Sequence, residues 1–237
     1  MNIKQLIILA LVSICMMNSS CEKLKLQKHA VYEASYYDNK LNMSVIDFMI
    51  SRPDMFSGML SAIDYVDADP NYKDVKEMYS KTGDTYLLLH NNALINLEDA
   101  NSFFSRNMVL DQNPSSPTFG LMTRGTAWSQ YSREVVANLL KYHVMKGTYS
   151  FSTLNSDPKW IDTYAISPTN DSAKVFIYLQ ATRDGYLLIN NYVGTPAGNI
   201  RPRTPDLYAT NGVIHVMNRF MAQPTRQAIL NNKTGLN

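Results

Sequence analysis

Asn211-Gly212-Val213-Ile214-His215-Val216-Met217 is the stretch on which the fold turns. Alternation puts Val213, His215 and Met217 on one side and Ile214 and Val216 on the other. A strand apolar on both faces belongs inside a sheet, so His215 is expected to be buried and hydrogen-bonded. Asn211 and Gly212 both tolerate positive φ, and are expected to reverse the chain into this strand from Leu207-Tyr208-Ala209. Further back, Lys174–Gln180 and Tyr186–Asn190 flank Ala181–Gly185, a second hairpin expected to use Asp184-Gly185 as its positive-φ pair.

The chain before these hairpins is helical in pattern. Ser132 is placed to cap a helix with Val135, Val136, Leu139, Leu140 and His143 on one side and Gly147 as its stop. His143 then ends an apolar face, where its ring can reach a carbonyl left unpaired at the helix terminus. Thr85–Leu89 reads as a short buried strand, and Asn96 as the cap of a helix with Glu98 and Asp99 in its first turn. Ser44, with Asp47 three residues on, opens a helix with Val45, Ile46, Met49 and Ile50 on one face. Pro53 begins another, in which Phe56, Met59, Leu60 and Ile63 recur at three and four residues. Asp64–Asp74 reads as a polar loop. Met108–Gln130, with Pro114, Pro117, Gly120 and Gly125, reads as a loop or insertion. Helices first and strands later, without an internal repeat, predict one α+β domain.

The 211–217 stretch resembles the closing N-G-x-I-H-x motif of the fasciclin (FAS1) family. Leu139-Leu140-Lys141-Tyr142-His143-Val144, followed by Gly147 and Tyr149, resembles its L-L-x-Y-H-V segment. The resemblance covers residues 41–224. It implies a FAS1-like fold, with N-terminal helices packed on a mostly antiparallel β-sheet or wedge, an insertion near 108–131, and a C-terminal tail over 225–237. Asp84–Ala93 stands where the family has T-x-F-A-P-T-D-x-A-F, but Leu89-His90-Asn91-Asn92 replaces the proline-containing part. The resemblance further implies adhesion or protein–protein contact rather than catalysis. Tyr142-His143 matches the family's suggested adhesion element and is therefore a candidate binding pair.

The N-terminus reads as an address. Lys4 precedes an apolar run from Leu6 to Met17, too short for a spanning helix but suited to a secretory signal. Asn18-Ser19-Ser20-Cys21 resembles a bacterial lipobox, in which the cysteine becomes the lipidated first residue; Asn18 departs from the usual aliphatic residue. Residues 1–20 are accordingly expected to be a lipoprotein signal peptide, Cys21 the lipidation site, and 21–40 a tether. The chain has two cysteines, Cys15 and Cys21, so the mature body holds none for a disulfide or a metal. The expected setting is the cell envelope, as an outer-membrane lipoprotein of Bacteroidetes type facing the periplasm or the cell surface, with the membrane as a partner through the lipid.

Composition narrows the chemistry. Hydrophobic residues make up 45% and charged residues 18%, enough apolar material for a substantial core. A net charge of +2 gives no electrostatic footprint for nucleic acid. No hydrolase elbow, zinc-protease motif or phosphate-binding loop is present. The four histidines, His29, His90, His143 and His215, lack metal-ligand spacing, and Asp64–Asp74 lacks the calcium-loop pattern. No catalytic residue, metal or cofactor is therefore assigned. Protein or glycan remains as the ligand class. Carbohydrate binding, as an accessory lipoprotein of glycan uptake, predicts that Trp128, Tyr131 and Trp160 lie exposed together. Asp171-Ser172-Ala173 resembles a short O-glycosylation sequon of secreted Bacteroidetes proteins, which would place a sugar on Ser172.

Overall fold

The computed structural model describes residues 2, 38–182, 185–195, 198 and 200–233. The expected signal peptide, Cys21, most of the tether and Asp184 lie outside the described residues. The N-terminal half supplies three helices: α1 (Val45–Ser51), α2 (Pro53–Asp67) and α3 (Lys73–Met78). The Ser44 hydroxyl accepts from the Asp47 N–H, and Pro53 occupies the first position of α2, where its missing N–H costs nothing. The apolar stripe of α2, Phe56, Met59, Ala62, Ile63 and Val66, is buried. The expected polar loop over Asp64–Asp74 is instead the end of α2, a 3₁₀ turn and the start of α3. Lys73 and Lys76 pair with Asp67 there, so the acidic run is matched by cations along the helices.

Strand β1 (Asp84–Leu89) is buried at every position. It leads to single-turn helices α4 (Asn91–Leu94) and α5 (Phe103–Arg106). His90 Nδ1 accepts from the Asn92 N–H at 3.0 Å, so a histidine caps α4 where the family pattern has proline. Asn96 accepts from the Glu98 N–H, but this closes a turn and not a helix; the next helix begins at Phe103, with Ser102 as its cap. Residues 108–123 form a small hairpin, β2 (Val109–Leu110) against β3 (Met122–Thr123), followed by a 3₁₀ turn at Trp128–Gln130.

Helix α6 (Arg133–Tyr142) starts at the Ser132 cap and ends one residue before His143, so Gly147 is not its stop. Val135 is exposed, contrary to its assignment to the buried face. The remaining strands are β4 (Val144–Met145), β5 (Lys159–Asp162), β6 (Lys174–Leu179), β7 (Leu187–Ile189), β8 (Pro202–Ala209) and β9 (Gly212–Met217), and helix α7 (Arg226–Asn231) ends the order. One sheet runs β4-β1-β9-β8 and another β5-β6-β7. β1 and β9 pair in parallel, and the other pairs in both sheets are antiparallel. Central placement leaves β9 with both faces covered.

Two expected boundaries move, and one expected turn glycine acts differently. Tyr208 donates to the Asn39 carbonyl and Leu41 donates back to Tyr208, both at 2.8 Å; the compact body therefore begins at Asn39, inside the expected tether. Residues 226–231 are a helix and not a tail, with Ile229 buried beside Trp160, Phe176 and Tyr192. Gly185 does not take positive φ. It is required because a Cβ there would lie 2.3 Å from the Gln180 carbonyl oxygen. All described core residues fall between Val45 and Ile229.

Candidate interaction site

The residues of the closing motif are structural anchors. Asn211 and Gly212 are not at positive φ, so the expected left-handed reversal is not how they work. The Asn211 carboxamide accepts from the Val45 N–H at 2.9 Å and donates to the Tyr79 and Lys81 carbonyls at 2.9 and 3.0 Å. One side chain thus joins the entry of β9 to the start of α1 and the segment after α3. Gly212 permits the close β1–β9 pairing, since a Cβ would lie 2.4 Å from the Asp84 carbonyl oxygen. The positive φ in this region belongs to Asp206, at 62°, within the irregular part of β8.

That bulge is built around His215. Its Nδ1 accepts from the Asp206 N–H at 3.0 Å, and Nε2 donates to the Tyr149 carbonyl at 2.9 Å. His143 is similarly spanned: Nδ1 donates to the Leu139 carbonyl at 2.8 Å, and Nε2 accepts from the Met221 N–H at 3.0 Å. Burial holds both imidazoles down at about 4, overcoming the opposing effect of their carbonyl hydrogen bonds. They are neutral bridges between backbone segments, with both ring nitrogens used.

Burial also overturns the expected binding residues. Tyr142 and His143 are fully covered. The Tyr142 hydroxyl donates to the Lys174 carbonyl and accepts from Asn190, tying α6 to the second sheet. Trp128, Tyr131 and Trp160 are 7, 8 and 9% exposed and do not form a surface. The Trp128 indole donates to the Gly58 carbonyl at 3.0 Å, and its ring packs on Phe103 and Phe104. The Tyr131 hydroxyl donates to the Asn107 carbonyl at 2.7 Å, while its ring stacks on Phe104. Trp160 belongs to a separate cluster, with its indole donating to the Asn232 carbonyl. Large aromatics bury most area per side chain, and here each also finds an acceptor for its N–H or O–H. Ser172 is half-buried in the turn before β6.

A concentration of exposed apolar side chains lies in the expected insertion, but on residues other than Trp128 and Tyr131. Met108, Leu110, Phe119, Leu121 and Met122 are each roughly half exposed, all within the 108–123 hairpin. Leu110 faces Met122 across the ladder, so these two share its outer side, while Val109 turns toward the core. A cavity of about 400 Å³ is lined by Ser61, Ile95, Leu97, Phe104, Thr126, Ala127 and Trp128, with no residue of the hairpin among them. The symmetrical placing of apolar residues around the Asn113–Thr118 turn cluster is the signal that could have identified this surface.

Among the described residues no group of three or more His, Cys, Asp or Glu side chains is placed to hold a metal ion, and no helix is long and apolar enough to cross a membrane. Residues 114–224 match the family model described as the fasciclin domain. A solved structure of a FAS1 domain pair from the insect cell adhesion molecule Fasciclin I is similar to this chain at 16% sequence identity and a TM-score of 0.44. The similarity covers 75% of this chain and 50% of that one, so the chain spans half the length of that structure. Comparison with curated proteins found no match.

Proposed function

We propose that this chain, which carries a fasciclin-domain match over residues 114–224 on a FAS1-like α+β fold, is a lipid-anchored envelope protein that makes protein–protein contacts without catalysing a reaction. Fasciclin domains are associated with adhesion and protein interaction in general. Within this chain, one observation carries the reading: five large apolar side chains are each about half exposed within the short 108–123 hairpin. Such a concentration of exposed apolar side chains in one short segment is the kind of surface that partners cover. The motif histidines are both locked in backbone bridges, which leaves them no free nitrogen for chemistry.

The anchor is Cys21, in a Bacteroidetes-type lipoprotein signal, and the membrane is the outer membrane. Several acyl chains make such an anchor lasting, because each buried CH₂ contributes about 0.8 kcal/mol. The glycan reading draws no support from Trp128, Tyr131 or Trp160, which are packed inside. Two measurements test the proposal together. Cys21→Ser should move the protein from the membrane pellet to the soluble envelope fraction. A photo-crosslinker at Leu121 should capture protein partners that one at Glu134 does not. Retention of the Cys21 variant in washed membranes would remove the anchor, and equal capture from both positions would remove the hairpin as the contact surface.

A further inference from the structure

We propose that the groove between α6 and the 164–170 loop is a binding site for a neutral glycan, with room for about one or two sugar rings. The site uses elements other than the hairpin, so it goes beyond the contact role above and does not depend on it. Two alanines open the groove. Ala137 on α6 and Ala165 in the loop are both buried, and both line a depression of about 440 Å³. Neither carries an atom beyond Cβ, so the floor stays open where a larger side chain would fill it.

One wall follows from helix periodicity. Glu134, Asn138 and Lys141 stand four and then three residues apart on α6, share one face, and all line the groove. Val135 lines it as well, and is exposed there while Val136 and Leu139 are buried. Tyr72, Ser167, Thr169 and Asn170 complete the polar lining. Among the described residues, the Tyr72 hydroxyl, the Glu134 carboxylate and the Asn138 carboxamide have no hydrogen-bond or ion-pair partner. Lys141 differs, because Asp74 holds its ammonium at 2.6 Å. Glu134 therefore carries the one unpaired charge among the described lining residues.

These groups suit hydroxyls. A sugar hydroxyl donates one hydrogen bond and accepts others; Glu134 accepts only, while Asn138 and the Tyr72 hydroxyl do both. Val135 and Ile166 add apolar surface for the C–H face of a ring. A lone negative charge disfavours an acidic ligand. Peptides are recognised by a free strand edge or an apolar helix groove, and this groove has neither. Its second wall is a turn closed on itself: Ser167 and Asn170 exchange backbone bonds at 3.2 and 3.0 Å, and the Asn170 carboxamide donates to the Ala165 carbonyl. The same bonds preform the loop, and Tyr164 at its start is fixed by donating to Asp84 at 2.6 Å. Little ordering is left to be done on binding, which favours affinity.

The test uses residues 39–237, which contain every described core residue. Amide NMR shifts are followed on titration with maltose, cellobiose, lactose, mannobiose and xylobiose. At least one should move signals of α6 and the 164–170 loop and saturate at about 0.1–10 mM. Asn138→Ala should weaken that binding by about 10-fold or more, the worth of a good hydrogen-bonding pair. The uronate counterpart of the sugar that binds should bind less well, and Glu134→Gln should narrow the difference. Both positions are exposed, so circular dichroism melts of the variants should match the wild type, which separates loss of binding from misfolding. No shifts with any of the sugars, or binding that Asn138→Ala leaves unchanged, overturns the site. A uronate that binds better than its neutral counterpart overturns the neutral ligand. Shifts with the peptide Gly-Arg-Gly and with no sugar overturn the glycan assignment. No residue of the 108–123 hairpin lines the groove, so loss of the glycan site leaves the contact role standing.

Discussion

Neutral, buried His143 and His215 make stability depend on pH in a range where few other groups titrate. Both have folded values held down to about 4 by burial, from an ordinary 6.5. A histidine with a depressed folded value binds fewer protons folded than unfolded between those limits. Its contribution is therefore complete above about 6.5, falls as the pH drops toward 4, and changes no further below that. Each such group gives a slope of about 1.4 kcal/mol per pH unit at most, so the pair gives roughly 2–3 kcal/mol per unit near pH 5. His90, lowered by burial and by Arg203, acts with the same sign. The carboxylates whose values are lowered, Asp54, Asp67 and Asp111, titrate below this window. Urea unfolding of residues 39–237 at pH 7, 6, 5 and 4.5 should show a steady loss that accelerates below 6.5. His143→Gln lowers stability at every pH but should roughly halve the slope, and the slope is the diagnostic. Stability that stays level from pH 7 to 5, or an unchanged slope in His143→Gln, would refute the assignment of two neutral histidine bridges.

Asn211→Ala should cost about 2–4 kcal/mol, because it removes three hydrogen bonds and leaves the Val45 N–H and Tyr79 carbonyl without that partner. Asn211→Asp should cost more, since a carboxylate would face two carbonyls; denaturant midpoints check both. Gly212→Ala should destabilise by about 3 kcal/mol or more through the contact with the Asp84 carbonyl, and hydrogen exchange should show β1 and β9 losing protection together. Trp128→Ala should cost about 3–5 kcal/mol, while Leu110→Ser should stay within about 0.5 kcal/mol and act only on association. Comparable destabilisation by these two substitutions would contradict the division between buried anchor and exposed contact.

Local signals made most of the fold legible. Helix starts were readable at Ser44 and Ser132 because a cap is satisfied within a few residues, and at Pro53 because proline at the first helical position loses no hydrogen bond. The pattern of residues 213–217, apolar on both faces apart from His215, was readable as a central strand because both faces of β9 are covered. What failed depended on distant partners. Gly212 looked like a turn glycine, but its role is set by the Asp84 carbonyl on a strand more than a hundred residues away. Asn211 failed in the same way, with its three partners at Val45, Tyr79 and Lys81. Asp206, which does take positive φ, carried no glycine or Asn-Gly signal to identify it.

The site was legible only as a place. Prolines and glycines marked 108–131 as an insertion, but aromatic content pointed to the wrong residues within it. Trp128 and Tyr131 gain more by burial than Leu or Met because each adds a ring contact and a satisfied donor. They consequently take the protected positions at the hairpin base, against Gly58, Asn107 and Phe104. A two-stranded hairpin has only one side to turn toward the body, so half of its apolar side chains must face outward unless a partner covers them. Val109 takes the inner side and Leu110 with Met122 the outer. A hairpin needing only to stay folded would place polar residues on that outer side. Leu110 and Met122 instead leave apolar surface open on that side, which is where a contact partner has most to gain by docking.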